Sequence, residues 1–196
     1  MQLCTEIINA LRSEISSFPE GFYDTFRFTV TGNNRTHPIT VGILCKILWR
    51  LKTISAVGVD MRFNAGKGKK FQPDLTAFDN CGSPLIFLDY ESPNSSDARI
   101  PSKDVDSYKS WIATQESQVP YIIITTLPDK EAPDWQVRYT SKRGCNYHFS
   151  NKKSEILKNP FRFWYSYYRK CVKEPNAYSI FFANINGKVV DLIEMQ

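Results

Sequence analysis

Residues 72–91, QPDLTAFDNCGSPLIFLDYE, contain two strand-like runs separated by a turn. Phe71–Phe78 reads as one strand, and Asn80–Cys81–Gly82–Ser83–Pro84 carries the Asn, Gly and Pro punctuation of a tight turn. Leu85–Tyr90 is a short, nearly continuous apolar run, the pattern of a strand buried on both faces. Asp74 lies early in the first strand, directly after Pro73. Asp89 and Glu91 end the second. They are two positions apart, so a strand turns them to the same face with Tyr90 opposite. A carboxylate ending an apolar strand is costly unless it is solvated or bound to a cation. Three convergent carboxylates make an oxygen-rich site that Mg²⁺ accepts, with places left for water and a phosphate oxygen.

Working outward, Ala56–Phe63 is a candidate strand and Asn64–Lys70 a Gly-containing basic loop with Lys67, Lys69 and Lys70. Downstream, Ser102 is placed to cap a helix from Lys103 to about Glu116, with Val105, Tyr108, Trp111 and Ile112 on its inner side. Tyr121–Thr126, YIIITT, is another fully buried strand. The order βββαβ, with the helix as a crossover, predicts an α/β or α+β fold with a mixed central sheet flanked by helices, its last two members parallel.

The flanks are read from periodicity. Leu3, Ile7, Ile8, Leu11 and Ile15 recur at helical spacing over residues 3–16, and a second helix is expected from about Pro38 to Leu51. Phe22–Thr31 alternates like a strand. Toward the C-terminus, a strand at 136–140, a helix over 154–171 broken near Asn159–Pro160, and a hairpin of 178–184 with 188–193 are expected. Neither a repeat nor a linker stands out. One domain over 1–196 is the simplest organisation, with its core at 57–126, N-terminal helices in 1–53 and a C-terminal helix and hairpin elaboration in 136–196.

Order, spacing and acids together resemble the PD-(D/E)XK, or restriction-endonuclease-like, nuclease superfamily. Pro73–Asp74 matches the PD, and Asp89–Tyr90 matches the (D/E)x on the neighbouring strand, 15 positions later. A helix and a buried strand then follow in the family's order. The resemblance implies a divalent-metal-dependent nuclease using Mg²⁺ or Mn²⁺, with Asp74, Asp89 and Glu91 as metal-side acids. It also implies a nucleic-acid partner, DNA by analogy, and the possibility of a homodimer. The family lysine is replaced here by Glu91. Lys103, Lys69 or Lys70 are the cations able to compensate. A further acid from an N-terminal helix is common in the family, and Glu14 and Glu6 are the candidates. The alternative reading is a catalytically inactive member that binds nucleic acid or a protein partner, with Glu91 marking the lost lysine.

Composition narrows the classes. Of 196 residues, 42% are apolar, enough for a core, yet no run approaches the ~18 uninterrupted apolar residues of a membrane-spanning helix. Residues 1–11 lack the basic and apolar regions of a secretory signal, so a soluble, cytoplasmic protein with no membrane partner is expected. Five widely spaced cysteines without a CxxC pair argue against a zinc site or disulfide framework. With only His37 and His148, a histidine base or multi-His metal site is disfavoured. The net charge of +5 is concentrated in Lys67, Lys69 and Lys70 and in a cluster between Lys142 and Lys173, a distribution suited to phosphates. Arg99, in the polar loop after Glu91, is a candidate phosphate contact. The mixed aromatic and basic run 161–170 combines stacking and phosphate-binding residue types, although a helix packed on the sheet with snorkelling cations is the commoner use.

Overall fold

The computed structural model describes residues 2–16, 33–91, 100–127, 158, 166, 177–183 and 189–193. Their elements are α1 (Gln2–Ser16), α2 (Asn33–Trp49), β1 (Ala56–Val59), β2 (Phe63–Asn64), β3 (Lys70–Phe71), β4 (Leu75–Phe78), β5 (Pro84–Glu91), α3 (Ile100–Ile112), β6 (Tyr121–Leu127), β7 (Ala177–Ala183) and β8 (Val189–Ile193). Six strands form one mixed sheet in the order β1-β4-β5-β6-β7-β8, and β2 pairs with β3 in a separate two-stranded hairpin. The architecture is therefore mixed α and β, as the period changes along the sequence predict. The expected strands at 22–31 and 136–140 lie outside the described residues, as does the expected helix over 154–171 apart from Lys158 and Ser166, which are both helical.

The centre of the sheet follows from chain connectivity. β4 and β5 are antiparallel neighbours, with Leu75 opposite Leu88 and Thr76 opposite Phe87. The turn between them is built by Asp79, whose Oδ1 accepts the Cys81 and Ser83 amides at 2.9 and 2.8 Å. Gly82 takes the left-handed conformation there, at φ 78°. After β5 the chain crosses over through α3, and β6 returns parallel to β5 with Asp89 opposite Ile123. β7 is parallel to β6, and β8 folds back antiparallel on β7 as the C-terminal hairpin pattern predicts.

Alternation divides the core into two layers. On one face Leu75, Ala77, Ile86, Leu88, Tyr90, Ile122 and Ile124 meet Cys4, Ile7 and Ile8 of α1 and Val41, Leu44, Ile47 and Leu48 of α2. Each such aliphatic side chain contributes roughly 1.5–3 kcal/mol when fully buried. The other face is aromatic. Phe87 meets Trp111 edge-on at 4.8 Å, Phe71 at 5.0 Å and Phe63 at 5.2 Å, while Tyr108 and Tyr121 pack together at 5.0 Å. Phe63 and Phe71 come from β2 and β3, so this cluster anchors the small hairpin beneath α3; edge-to-face pairs of this kind add about 0.5–1.5 kcal/mol each beyond area burial.

Several boundaries differ from the sequence expectation. The run 56–63 is not one strand: β1 ends at Val59, and Phe63 opens β2 of the small hairpin. The run 71–78 is not one strand: Gln72–Asp74 separate β3 from β4, and the chain passes from the hairpin into the main sheet there. α2 begins at Asn33, so Pro38 lies inside the helix rather than at its start; its missing N–H falls close to the first turn, where few helical bonds are lost. α3 starts at Ile100, so Ser102 sits in the first turn and is not its cap.

Candidate functional site

Adjacent strands bring Asp74 and Asp89 together. The Asp74 amide donates to Asp89 Oδ1 at 2.6 Å, so the residue that leads into β4 is hooked onto the carboxylate near the end of β5. Tyr121 Oη, from the first residue of β6, donates to Asp89 Oδ2. Asp89 is 4% exposed, and both its oxygens are occupied. Burial pushes its carboxyl well above the ordinary range, and the nearby charges of Asp74 and Asp104 push it further. The hydrogen bonds from Tyr121 and the Asp74 amide oppose that shift without cancelling it.

Asp74 is held from a different direction. Its Oδ2 accepts the Tyr90 amide at 2.7 Å and bonds His37 Nε2 at 3.0 Å. An ionised carboxylate only accepts, so the Nε2–H of His37 is the donor. His37 comes from the first turns of α2, with its ring 6.0 Å from that of Tyr90, and its side chain is 34% exposed. The hydrogen bond to Asp74 raises the imidazole above its ordinary value, and the charges of Asp74 and Asp60 add to this against partial burial. Asp60 is nearby because its amide donates to the Asp74 carbonyl at 3.0 Å, from a left-handed φ of 52° that ends β1.

The remaining expected site residues fall in several places. Glu91 closes β5 opposite Thr125, and its side chain lies outside the described residues. Lys103 is exposed on the first turn of α3, beside the Asp104 whose charge reaches Asp89. Lys67, Lys69 and Lys70 are exposed on the β2–β3 hairpin, where Gly66, Lys67 and Gly68 all have positive φ. Arg99 lies outside the described residues.

Glu14 is held by cations. Its two oxygens are taken by Lys46 of α2 and by Arg50, just past the end of that helix. Lys46 lies about 14 Å along the helix from His37, at a rise of about 1.5 Å per residue. The hydrogen bond from Lys46 holds Glu14 below the usual carboxylate range despite its burial.

Sequence reasoning found the two aspartates and missed their partners. His37 and Asp74 are 37 positions apart, and no spacing rule connects them. Tyr121 was visible only as the first residue of a buried strand; alternation along β6, together with the parallel register, is the signal that assigns it to the face of Asp89. Among the described residues, no group of three or more His, Cys, Asp and Glu side chains has an arrangement suited to holding a metal ion. No helix among them is long and apolar enough to cross a membrane. Compared with protein-family models, curated proteins and solved structures, the chain matches none.

Proposed function

We propose that the chain is a divalent-metal-dependent nuclease of restriction-endonuclease-like fold that hydrolyses phosphodiester bonds in DNA. The observation that carries this reading is the Asp74–Asp89 junction: two acids 15 positions apart, one leading into β4 and one near the end of its antiparallel neighbour β5, joined by a 2.6 Å bond from one backbone to the other side chain. The strand order β1-β4-β5-β6, with α3 crossing between β5 and β6, also agrees with the βββαβ core that such a nuclease uses.

Among the described residues one carboxylate oxygen of this pair, on Asp74, is open to a hard cation. Asp89 is raised in part by the charge of Asp74, a repulsion that a divalent ion would relieve. Asp74 keeps one carboxylate oxygen without a partner among the described residues. Asp74, Asp89 and Glu91 would hold Mg²⁺ or Mn²⁺, whose chemistry would be Lewis-acid stabilisation of charge at the phosphate and activation of water. The chain's own contributions are separate. Asp89 fixes the backbone at Asp74. The exposed lysines of the β2–β3 hairpin offer counter-charge to the phosphate backbone, and Lys103 offers it near Asp104.

The test is incubation with plasmid, linear and branched DNA and with RNA, in Mg²⁺, Mn²⁺ or EDTA. Cleavage is expected only with metal. Asp74→Ala and Glu91→Ala should each lower it by about 10³-fold, the several kcal/mol that such a centre supplies. One observation favours a second reading, a non-catalytic nucleic-acid-binding module: Asp89 is buried with both oxygens already satisfied within the protein. Nucleic-acid binding without cleavage, and without any rise in melting temperature on adding Mn²⁺, would favour that module.

A further inference from the structure

The two oxygens of the Asp74 carboxylate have different surroundings. Oδ2 is held by the Tyr90 amide and by His37 Nε2. Oδ1 has no hydrogen-bond partner among the described residues. Thr76 Oγ1 is the one side-chain polar atom among them that is both buried and unpaired, so Asp74 Oδ1 reaches solvent. We propose that His37 is a positioning residue that, with the Tyr90 amide, fixes Asp74 so that Oδ1 is presented in a single orientation to a divalent cation. This role rests on the nuclease reading for the identity of the ligand.

The argument is one of geometry. The terminal torsion of an aspartate is broad, so one donor at one oxygen leaves the carboxylate plane free to swing. The Tyr90 amide belongs to β5, the strand beside which Asp74 leads into β4. His37 belongs to α2, which packs on the sheet face that carries Tyr90. Two donors from two elements fix both the position of Oδ2 and the plane. The imidazole is itself steadied, since its ring lies against Tyr90 with the planes tilted by 50°. A carboxylate secured through one oxygen in this way binds a cation through the other without losing further torsional freedom. Removing an outer hydrogen-bond partner of this type typically weakens metal binding by about 10–100-fold.

Mn²⁺ binding to the full chain, followed by electron paramagnetic resonance of the free ion with no nucleic acid present, tests the role apart from catalysis. His37→Ala should weaken Mn²⁺ by about 10–100-fold. His37→Gln, whose side-chain amide N–H can reach the same oxygen, should recover most of the loss, which a mere packing role would not predict. Thermal melts without metal identify any variant that has lost its fold. Unchanged Mn²⁺ affinity in His37→Ala overturns the positioning role while the nuclease reading stands. A Gln variant as weak as the Ala variant overturns it too. Wild-type protein that binds no Mn²⁺ overturns the nuclease reading, and this role with it.

Discussion

Glu14 and Asp89 are both carboxylates removed from water, at 5% and 4% exposed, and the protein treats them in opposite ways. Glu14 is clasped by two cations, Lys46 and Arg50, and stays below the usual carboxylate range. Asp89 is met by a phenol and a backbone amide and has two further acids nearby, so it rises well above that range. The first arrangement is complete and ties α1 to α2. The second has no cation bonded to it among the described residues, and perturbed groups of that kind concentrate where a protein binds or reacts. The contrast separates an acid whose charge is answered by cations from one met by neutral donors alone among the described residues.

The strongest way to break the contrast is to strip Glu14 of its partners. Lys46→Met together with Arg50→Met takes both cations from a buried carboxylate and should cost about 3–5 kcal/mol in urea unfolding. A loss below about 1 kcal/mol would mean that these exposed cations act only as surface pairs. Next in size, Asp89→Asn keeps an acceptor for the Asp74 amide and removes the acid. The apo protein at pH 8 should gain on the order of 1 kcal/mol, or about 2–4 °C in Tm, and its metal response should vanish. A destabilised Asn variant would show that Asp89 is retained for structure.

The smallest effect is a difference in pH dependence. Glu14 is lowered, so its stabilisation is present above about pH 4.5 and is lost as pH falls through its folded value. His37 is raised, so its stabilisation is full below about pH 6.5 and is lost as pH rises through its folded value. Melting curves of wild type and His37→Ala should therefore converge toward alkaline pH and separate toward pH 6. Parallel curves would remove the link between His37 and Asp74.

How much of this was legible depended on the range of the interactions involved. β5 and β6 are marked by apolar runs that only a two-sided burial explains, and β7–β8 by a turn between alternating segments. Asp74 and Asp89 were legible because a hairpin makes their spacing a local property. The partners that decide their chemistry are tertiary. His37 reaches Asp74 from a helix, Tyr121 reaches Asp89 across a parallel pairing, and Lys46 and Arg50 claim the Glu14 that the resemblance offered as a metal-side acid. The break at Gln72–Asp74 was hidden for a related reason: Phe71 and Leu75 are both buried apolar residues, and nothing in their types reveals that they serve different sheets.

The same topology has a consequence in time. β4 and β5 meet through a short turn, so the segment that joins Asp74 to Asp89 can close on the scale of about 1–10 μs typical of hairpins. β6 and β7 pair in parallel from Tyr121 and Ala177 onward, and His37 must be carried in on a helix from far along the chain. Longer closures cost more entropy and come later. The two acids thus become neighbours through a shorter closure than the one that brings His37 to Asp74.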